Sequence, residues 1–274
     1  GGSGFEINGR RYYIVQTAEK GTARFRLRTT GKPGHGSVPL ADNAVLKLAE
    51  ALATLRTAQP PVHFTASLRG YVTGIASVQP PDVARLFLAI LDNEATADAA
   101  IDALPIEDIL KEELHAQIRN TIAPTILKAG SQVNVIPSEA EALLDARILP
   151  GWTPERFLRE LHAIFGEDTA IEFINPSDGL EADPESPFFD VIKAVLKEHD
   201  PEATAIPTLL TGATDAKHIA QLGTKVYGFA PELYIPGFNG WSGVHGHDEC
   251  TSVESMHWGT RVLYEVVARF AGKG

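Results

Sequence analysis

Apolar residues recur along this chain with two different periods, and the changes between them mark out its elements. Residues 5–13 read as a hairpin turned at Asn8-Gly9, because these two residues tolerate the positive φ that a two-residue turn demands. An apolar strand at 12–17 runs into Glu19-Lys20-Gly21, and residues 22–30 then alternate apolar and basic side chains as a half-exposed strand does. Two adjoining strands of different character predict a domain crossing near Gly21. Residues 43–56 place Ala44, Val45, Leu48, Ala51, Leu52 and Leu55 on a helical stripe, entered through Asp42 or Asn43 as cap. Between Pro60-Pro61 and Pro80-Pro81 the pattern is less regular, and residues 59–79 read as a loop with short strands. Helices are expected at 81–91, 98–104 and 106–120, the last with charge around Lys111-Glu112-Glu113. The acidic, alanine-rich run at 92–102 reads as a solvated face.

After Gly130 the period returns to two. Strands are expected at 133–136 and 140–148, separated by a turn at Pro137-Ser138, with Leu143, Asp145 and Arg147 sharing one face. Residues 153–165 form an amphipathic helix capped by Thr153 with Pro154 at its first position, and a strand follows at 169–174. Residues 22–175 therefore describe an α+β domain with helices on one sheet face. Beyond it come a helix at 187–198, a strand at 203–210, a short helix at 215–222, a buried strand at 225–229 and a closing helix at 254–270. That alternation predicts an α/β layer whose strand-end loops hold the chemistry. The expected architecture is an α/β domain of residues 1–21 and 176–274 interrupted by an inserted α+β domain of residues 22–175.

Composition narrows the function classes. The 274 residues are 44% hydrophobic and 22% charged, ordinary for a globular chain with room for two cores. A net charge of −11 argues against a nucleic-acid or anionic-membrane surface and leaves small molecules or peptides as partners. The single cysteine, Cys250, excludes an internal disulfide framework and a Cys-rich zinc finger, and favours a reducing, cytoplasmic setting. No apolar run is long enough to span a bilayer. The start Gly1-Gly2-Ser3-Gly4, with Met256 as the only methionine, leads us to expect a processed or truncated piece, the four residues being a cloning scar or a native loop.

Several groups offer chemistry. His245, His247, Asp248 and Glu249 are packed closely enough to present imidazole and carboxylate to a cation such as Zn²⁺, at the end of a loop bent by Pro236, Gly237, Gly240 and Gly243. His35 stands between two glycines that hold its imidazole clear of neighbours. Ser37 beside it does not make a nucleophilic pair, since residues 34–39 do not fit Gly-x-Ser-x-Gly. Arg147 is either a clamp for a substrate carboxylate or an ordinary salt-bridged strand arginine. Thr211, Gly212 and Thr214 end a strand and open a helix, where N–H groups and hydroxyls can receive an anion; the alternative is a turn in which Asp215 caps the helix. Phe229, Tyr234, Phe238 and Trp241 either line an apolar side-chain pocket or pack. Glu19 is best read as a strand-end ion pair with Lys20 or another partner.

Four segments in order carry a family resemblance: Gly31-Lys32-Pro33-Gly34-His35-Gly36-Ser37-Val38-Pro39 followed by Asn43-Ala44; Asn134-Val135-Ile136-Pro137; Gly212-Ala213-Thr214-Asp215-Ala216; and Val244-His245-Gly246-His247-Asp248-Glu249. Together they resemble the second half of the M20 family of zinc peptidases and amidohydrolases. The resemblance implies a catalytic α/β domain carrying two zinc ions, or other divalent metals, and an inserted lid or dimerisation domain that forms a homodimer. It makes His245 the last metal ligand, with His247, Asp248 and Glu249 in supporting roles. It places His35 toward the active site, often that of the partner subunit, where it polarises the scissile carbonyl and supports the oxyanion. Asn134 and Arg147 fall near the substrate.

The bridging aspartate, the histidine, the two acidic ligands and the general-base glutamate of that family have no matching positions here and are expected before Gly1. The implied reaction is metal-assisted hydrolysis of a peptide or N-acyl amide bond next to a carboxylate, completed by the missing N-terminal part. A catalytically incomplete dimerisation or carboxylate-binding module is the alternative.

Overall fold

The computed structural model of the chain describes residues 2–167, 169–238, 247 and 249–272. In chain order the elements are β1 (Gly4–Ile7), β2 (Arg10–Glu19), β3 (Gly21–Thr22), β4 (Phe25–Thr30), β5 (Gly34–His35), α1 (Ala44–Ala53), α2 (Ala66–Ala76), α3 (Pro81–Leu88), α4 (Ala97–Asp102), α5 (Asp108–Gln117), β6 (Thr121–Ala129), β7 (Val135–Ile136), β8 (Glu139–Ile148), α6 (Pro154–Phe165), β9 (Ala170–Phe173), β10 (Leu180–Glu181), α7 (Pro187–His199), β11 (Thr204–Leu210), α8 (Ala216–Ala220) and α9 (Val253–Phe270).

The first sheet is centred on β2. Asn8 and Gly9, with φ of 49° and 71°, make the expected hairpin with β1. β10 pairs antiparallel further along the same edge of β2, and β11 lies parallel along the other. Successive side chains of a strand point to opposite faces, so Tyr12 and Tyr13 enter different cores. Tyr13 and Val15 pack with α7 and α9 through Phe189, Ile192, Val262 and Val266. Tyr12 and Ile206 pack with the segment α2 to α5 through Leu68, Val72, Phe87 and Leu114.

The second sheet has the order β9-β4-β8-β6, all antiparallel, with β3 beside the end of β8. With α1 and α6 on one face, this is a βαββαβ unit of ferredoxin-like order. α1 is capped by Asn43, whose side chain accepts from the Val45 and Leu46 N–H groups, and α6 by Thr153 with Pro154 following. Their apolar stripes meet Phe25, Leu27, Ala142 and Leu144. The opposite face carries cross-strand ion pairs, Arg26 with Glu141 and Glu172 and Arg28 with Glu139. Among the described residues no helix is long and apolar enough to cross a membrane.

Two expectations are corrected, and one strand is added. Residues 66–76, read as loop with short strands, are the helix α2. Their glycines depress helix propensity but allow close packing on β11. A Cβ at Gly70 would lie 2.7 Å from Pro207 Cγ, and one at Gly74 would lie 2.7 Å from Ile206 Cγ2. The buried strand expected at 225–229 reduces to one bridge between Gly228 and Gln16. β6 was not expected as a strand: Pro124 interrupts its alternation, and the register with β8 shifts between Pro124 and Ile126. A proline is tolerated there because β6 is an edge strand.

The two sheets meet at Gly21. A Cβ there would stand 2.2 Å from the Ser177 carbonyl oxygen and 2.6 Å from the Asp178 carbonyl carbon, both backbone atoms that cannot turn aside. Gly21→Ala is expected to destabilise by about 1–3 kcal/mol or more, read as a lower urea midpoint with an unchanged slope. A midpoint equal to that of the parent protein contradicts this packing.

Candidate functional site

His35 and Asn134 come together at the outer end of the second sheet. β5 pairs with β7 in the register His35 to Val135, and the Gly36 N–H donates to the Asn134 carbonyl at 2.8 Å. Both side chains are exposed. The Ser37 N–H donates to His35 Nδ1 at 3.2 Å, and Ser37 Oγ stands 2.7 Å from the same nitrogen. Nδ1 is thus an acceptor, which leaves the proton of neutral imidazole on Nε2. Ser37 accordingly orients a histidine whose free end is a hydrogen-bond donor.

A second group gathers where the sheets meet. Arg147 lies opposite Thr22 and Thr121 at the inner end of β8. Its Nε and Nη2 donate to Asp145 at 2.6 and 3.1 Å, so among the described residues two of its five donors are engaged. Arg147 is the leading cause holding the Asp145 carboxyl below its ordinary value. Both readings of this arginine meet here, since a salt-bridged fork that keeps unengaged N–H donors can still receive a second carboxylate.

The turn after β11 is held from below. Glu19 is 1% exposed, and its Oε2 accepts from Thr214 N at 2.9 Å, Thr214 Oγ1 at 2.6 Å and Gln16 Nε2 at 3.2 Å. The Thr214 donors are therefore spent within the chain, which leaves Thr211 and Gly212 as the candidates for receiving an anion in this turn. Thr214 Oγ1 also accepts from Ala216 N at 3.1 Å, the capping role that the sequence offered to Asp215, whose side chain makes no such bond. With five residues, α8 adds little dipole.

Glu19 does not pair with Lys20. Neighbouring residues of a strand face opposite ways, and Lys20 Nζ instead donates to the Arg119 carbonyl at 2.7 Å and Thr121 Oγ1 at 3.3 Å. Burial first, then the Arg147 and Arg119 charges, pull the Lys20 amine down to about 7. A signal for Glu19 was present in the sequence: a carboxylate at the carboxyl end of an apolar strand, where open α/β sheets place ligand-facing groups.

Thr211 also borders a cavity of about 310 Å³ between the first sheet, α5 and the segment 232–238. Tyr234 and Phe238 line it, whereas Phe229 packs against the core of α7 and α9. Trp241, Asp248 and His245, the metal ligand implied by resemblance, lie outside the described residues. Among the described residues no three His, Cys, Asp or Glu side chains form a group that could hold a metal ion.

Residues 17–171 match the model of the peptidase dimerisation domain of the M20 family. The chain is 26% identical over 254 residues to the zebrafish (Danio rerio) N-fatty-acyl-amino acid synthase/hydrolase PM20D1.1, covering 88% of this chain and 46% of that protein. It is 25% identical over 247 residues to the probable carboxypeptidase S-like 2 of Dictyostelium discoideum, covering 88% and 45%. The chain thus spans about half the length of the curated relatives it matches. Among solved structures, it superposes on the di-peptidase Dug1p of Saccharomyces cerevisiae with a TM-score of 0.60 at 15% identity, covering 94% of this chain and 56% of that one. The M20 metallo-carboxypeptidase Sso-CP2 of Sulfolobus solfataricus gives 0.59 at 15% identity, covering 97% and 61%. The match over more than half of its residues means that this chain belongs to the M20 peptidase family and carries that family's dimerisation domain.

Proposed function

We propose that this chain forms the carboxyl-terminal part of an M20 hydrolase that cleaves a peptide or N-acyl amide bond next to a carboxylate. Within the expected unit of residues 22–175, the second sheet with α1 and α6 would serve as lid and dimerisation domain, whereas α2 to α5 share the core of the first sheet and would belong with the catalytic layer of residues 1–21 and 176–274. The observation that carries this reading is the distance between the two groups of candidate residues. Arg147 lies at one end of β8 and His35 with Asn134 beyond the other, and ten residues of strand span about 30 Å. A single small substrate cannot reach both within one subunit. In a homodimer the partner's His35 can complete the site that Arg147 and the Thr211-Gly212 turn begin.

Within that site the guanidinium of Arg147 would hold the substrate carboxylate, Thr211 and Gly212 would orient it, and His35 Nε2–H would donate to the carbonyl oxygen as it gains charge. Zinc is the expected ion, two per complete site; when bound it would supply Lewis-acid activation of water, and His245 is the residue of this chain that would help to hold it. The substrate class, small peptides or N-acyl amino acids, follows from the relatives' names and the resemblance.

The test compares hydrolysis of N-acyl amino acids and dipeptides by the full-length protein with that of the matching α-carboxamides, before and after chelation. Hydrolysis restricted to the carboxylates and restored by zinc supports the reading. Equal rates on acid and amide, or none on either, rejects it in favour of a binding or dimerisation module. Arg147→Ala is expected to lower kcat/KM for the carboxylates by about ten- to a hundredfold, the worth of a charge-assisted hydrogen bond.

A further inference from the structure

The cavity beside Thr211 combines an apolar wall with an acidic lining. Phe5, Ile14, Leu110 and Phe238 supply much of the apolar surface. Among the described residues that line it are four glutamates, Glu6, Glu107, Glu113 and Glu232, and no lysine, arginine or histidine. Two polar groups in the lining lack partners and can be reached. Tyr71 of α2 is 5% exposed, and its hydroxyl makes no hydrogen bond to a described residue. The half-buried Glu113 of α5 likewise forms no side-chain hydrogen bond or ion pair among the described residues. Unlike the enclosed Gln117 Oε1, neither the Tyr71 hydroxyl nor the Glu113 carboxyl is sealed within the protein. Burial alone pushes the Glu113 carboxyl up, and burial first, then the Glu113 charge, pushes the Tyr71 hydroxyl up. The Glu113 shift marks a carboxylate with no counter-charge beside it.

We propose that this cavity binds an apolar group carrying an ammonium, which donates to the Glu113 carboxylate and to the Tyr71 hydroxyl oxygen. An ammonium has three donors and no acceptor, whereas an ionised carboxylate only accepts and a phenol oxygen can accept, so the pair is matched to a cation. The other three glutamates add a field of the same sign. Phe5, stacked on Tyr71 with ring centroids 6.4 Å apart, offers apolar surface to the stem that carries the charge. The volume of about 310 Å³ falls at the lower end of small-molecule sites. Resting on the function proposed above, the occupant is the part of the substrate remote from its carboxylate, because Thr211 borders both the cavity and the proposed site while the acidic lining repels an anion.

The experiment measures binding of octylammonium, octanol and octanoate to the full-length protein by calorimetry, alongside hydrolysis of N-octanoylglycine. The expected result is that octylammonium binds at least about tenfold more tightly than octanol, the effect of one charge-assisted hydrogen bond, and octanoate most weakly. Glu113→Gln should remove that preference while retaining octanol binding, and Tyr71→Phe should reduce it. Leu110→Trp, which fills the cavity from the same helix, should weaken all three ligands and guards against a Glu113 variant that does not fold. Octylammonium should also raise KM for N-octanoylglycine and leave kcat unchanged. Equal binding of amine and alcohol, tighter binding of octanoate, no binding of any, an unchanged KM, or a preference that survives Glu113→Gln or Leu110→Trp would each overturn the proposal. Such a surviving preference is what nonspecific attraction to a chain of net charge −11 would give. Hydrolysis without an ammonium preference sinks this inference alone, and an ammonium preference without hydrolysis sinks the proposed reaction alone.

Discussion

Replacing His35 with alanine in the full-length protein is expected to lower kcat about a hundred- to a thousandfold, with KM changed far less. That is the usual cost of removing one donor to a developing oxyanion, because the interaction strengthens only as the carbonyl oxygen gains charge. The structure gives a reason to expect the effect in trans. His35, on β5, stands beyond the outer end of the ten-residue strand β8, whose inner end carries Arg147. Mixing His35→Ala subunits with His245→Ala subunits should then restore activity that neither variant has alone. About a quarter of the parent activity is the ceiling, since half the dimers are mixed and each has one complete site. Steady-state rates of the separate and mixed variants decide the matter. Failure of complementation would place His35 in its own subunit's site, and near-normal kcat for His35→Ala would remove it from catalysis.

Lys20 carries the second large effect, this one on stability. It is fully buried at the junction of the two sheets, its Nζ making two hydrogen bonds and having no carboxylate partner among the described residues. The guanidiniums that depress it, Arg147 and Arg119, are themselves tied to Asp145 and Asp98. The folded-state value near 7 lies below the ordinary 10.5, so between these limits the unfolded chain holds a proton that the folded chain has released. Stability therefore rises with pH across that window, and below about pH 7 the folded state bears the full cost of the buried ammonium. Each pKa unit is worth about 1.4 kcal/mol, which makes this cost several kcal/mol. Lys20→Met should flatten the dependence, and the difference in unfolding free energy between variant and parent should shrink as pH rises from 7 toward 10. Urea unfolding of both proteins at a series of pH values measures it. Parallel curves would show that Lys20 titrates normally.

Much of the secondary structure was legible because it follows local rules. Asn8-Gly9, Asn43 ahead of its apolar stripe, Thr153-Pro154 and the strict alternation of residues 139–148 each specify an element without help from the rest of the chain. α2 was missed for a tertiary reason. Gly70 and Gly74 weaken a helix considered alone, and their use appears only when β11 lies against them. β6 was missed because Pro124 breaks its period, which an edge position tolerates.

The candidate site divides in the same way. The glycines around His35 and the Ser37 that orients it are adjacent in sequence, so that arrangement could be anticipated in part. Nothing local says that Thr214 spends its donors on Glu19, 195 residues away, or that Gln117 lines a cavity shared with Thr211. The sequence by itself determined much of the order of helices and strands, α2, β6 and the segment 225–229 excepted, together with the absence of a disulfide framework and the four motifs of the M20 resemblance, all set by residues near one another in the chain. Only the tertiary structure decided that His35 and Arg147 stand beyond opposite ends of β8, that Glu19 supports a turn instead of pairing with Lys20, and that Gln117 and Thr211 line one cavity. Those outcomes depend on which distant surfaces exclude water from each other, and a one-dimensional pattern does not contain that information.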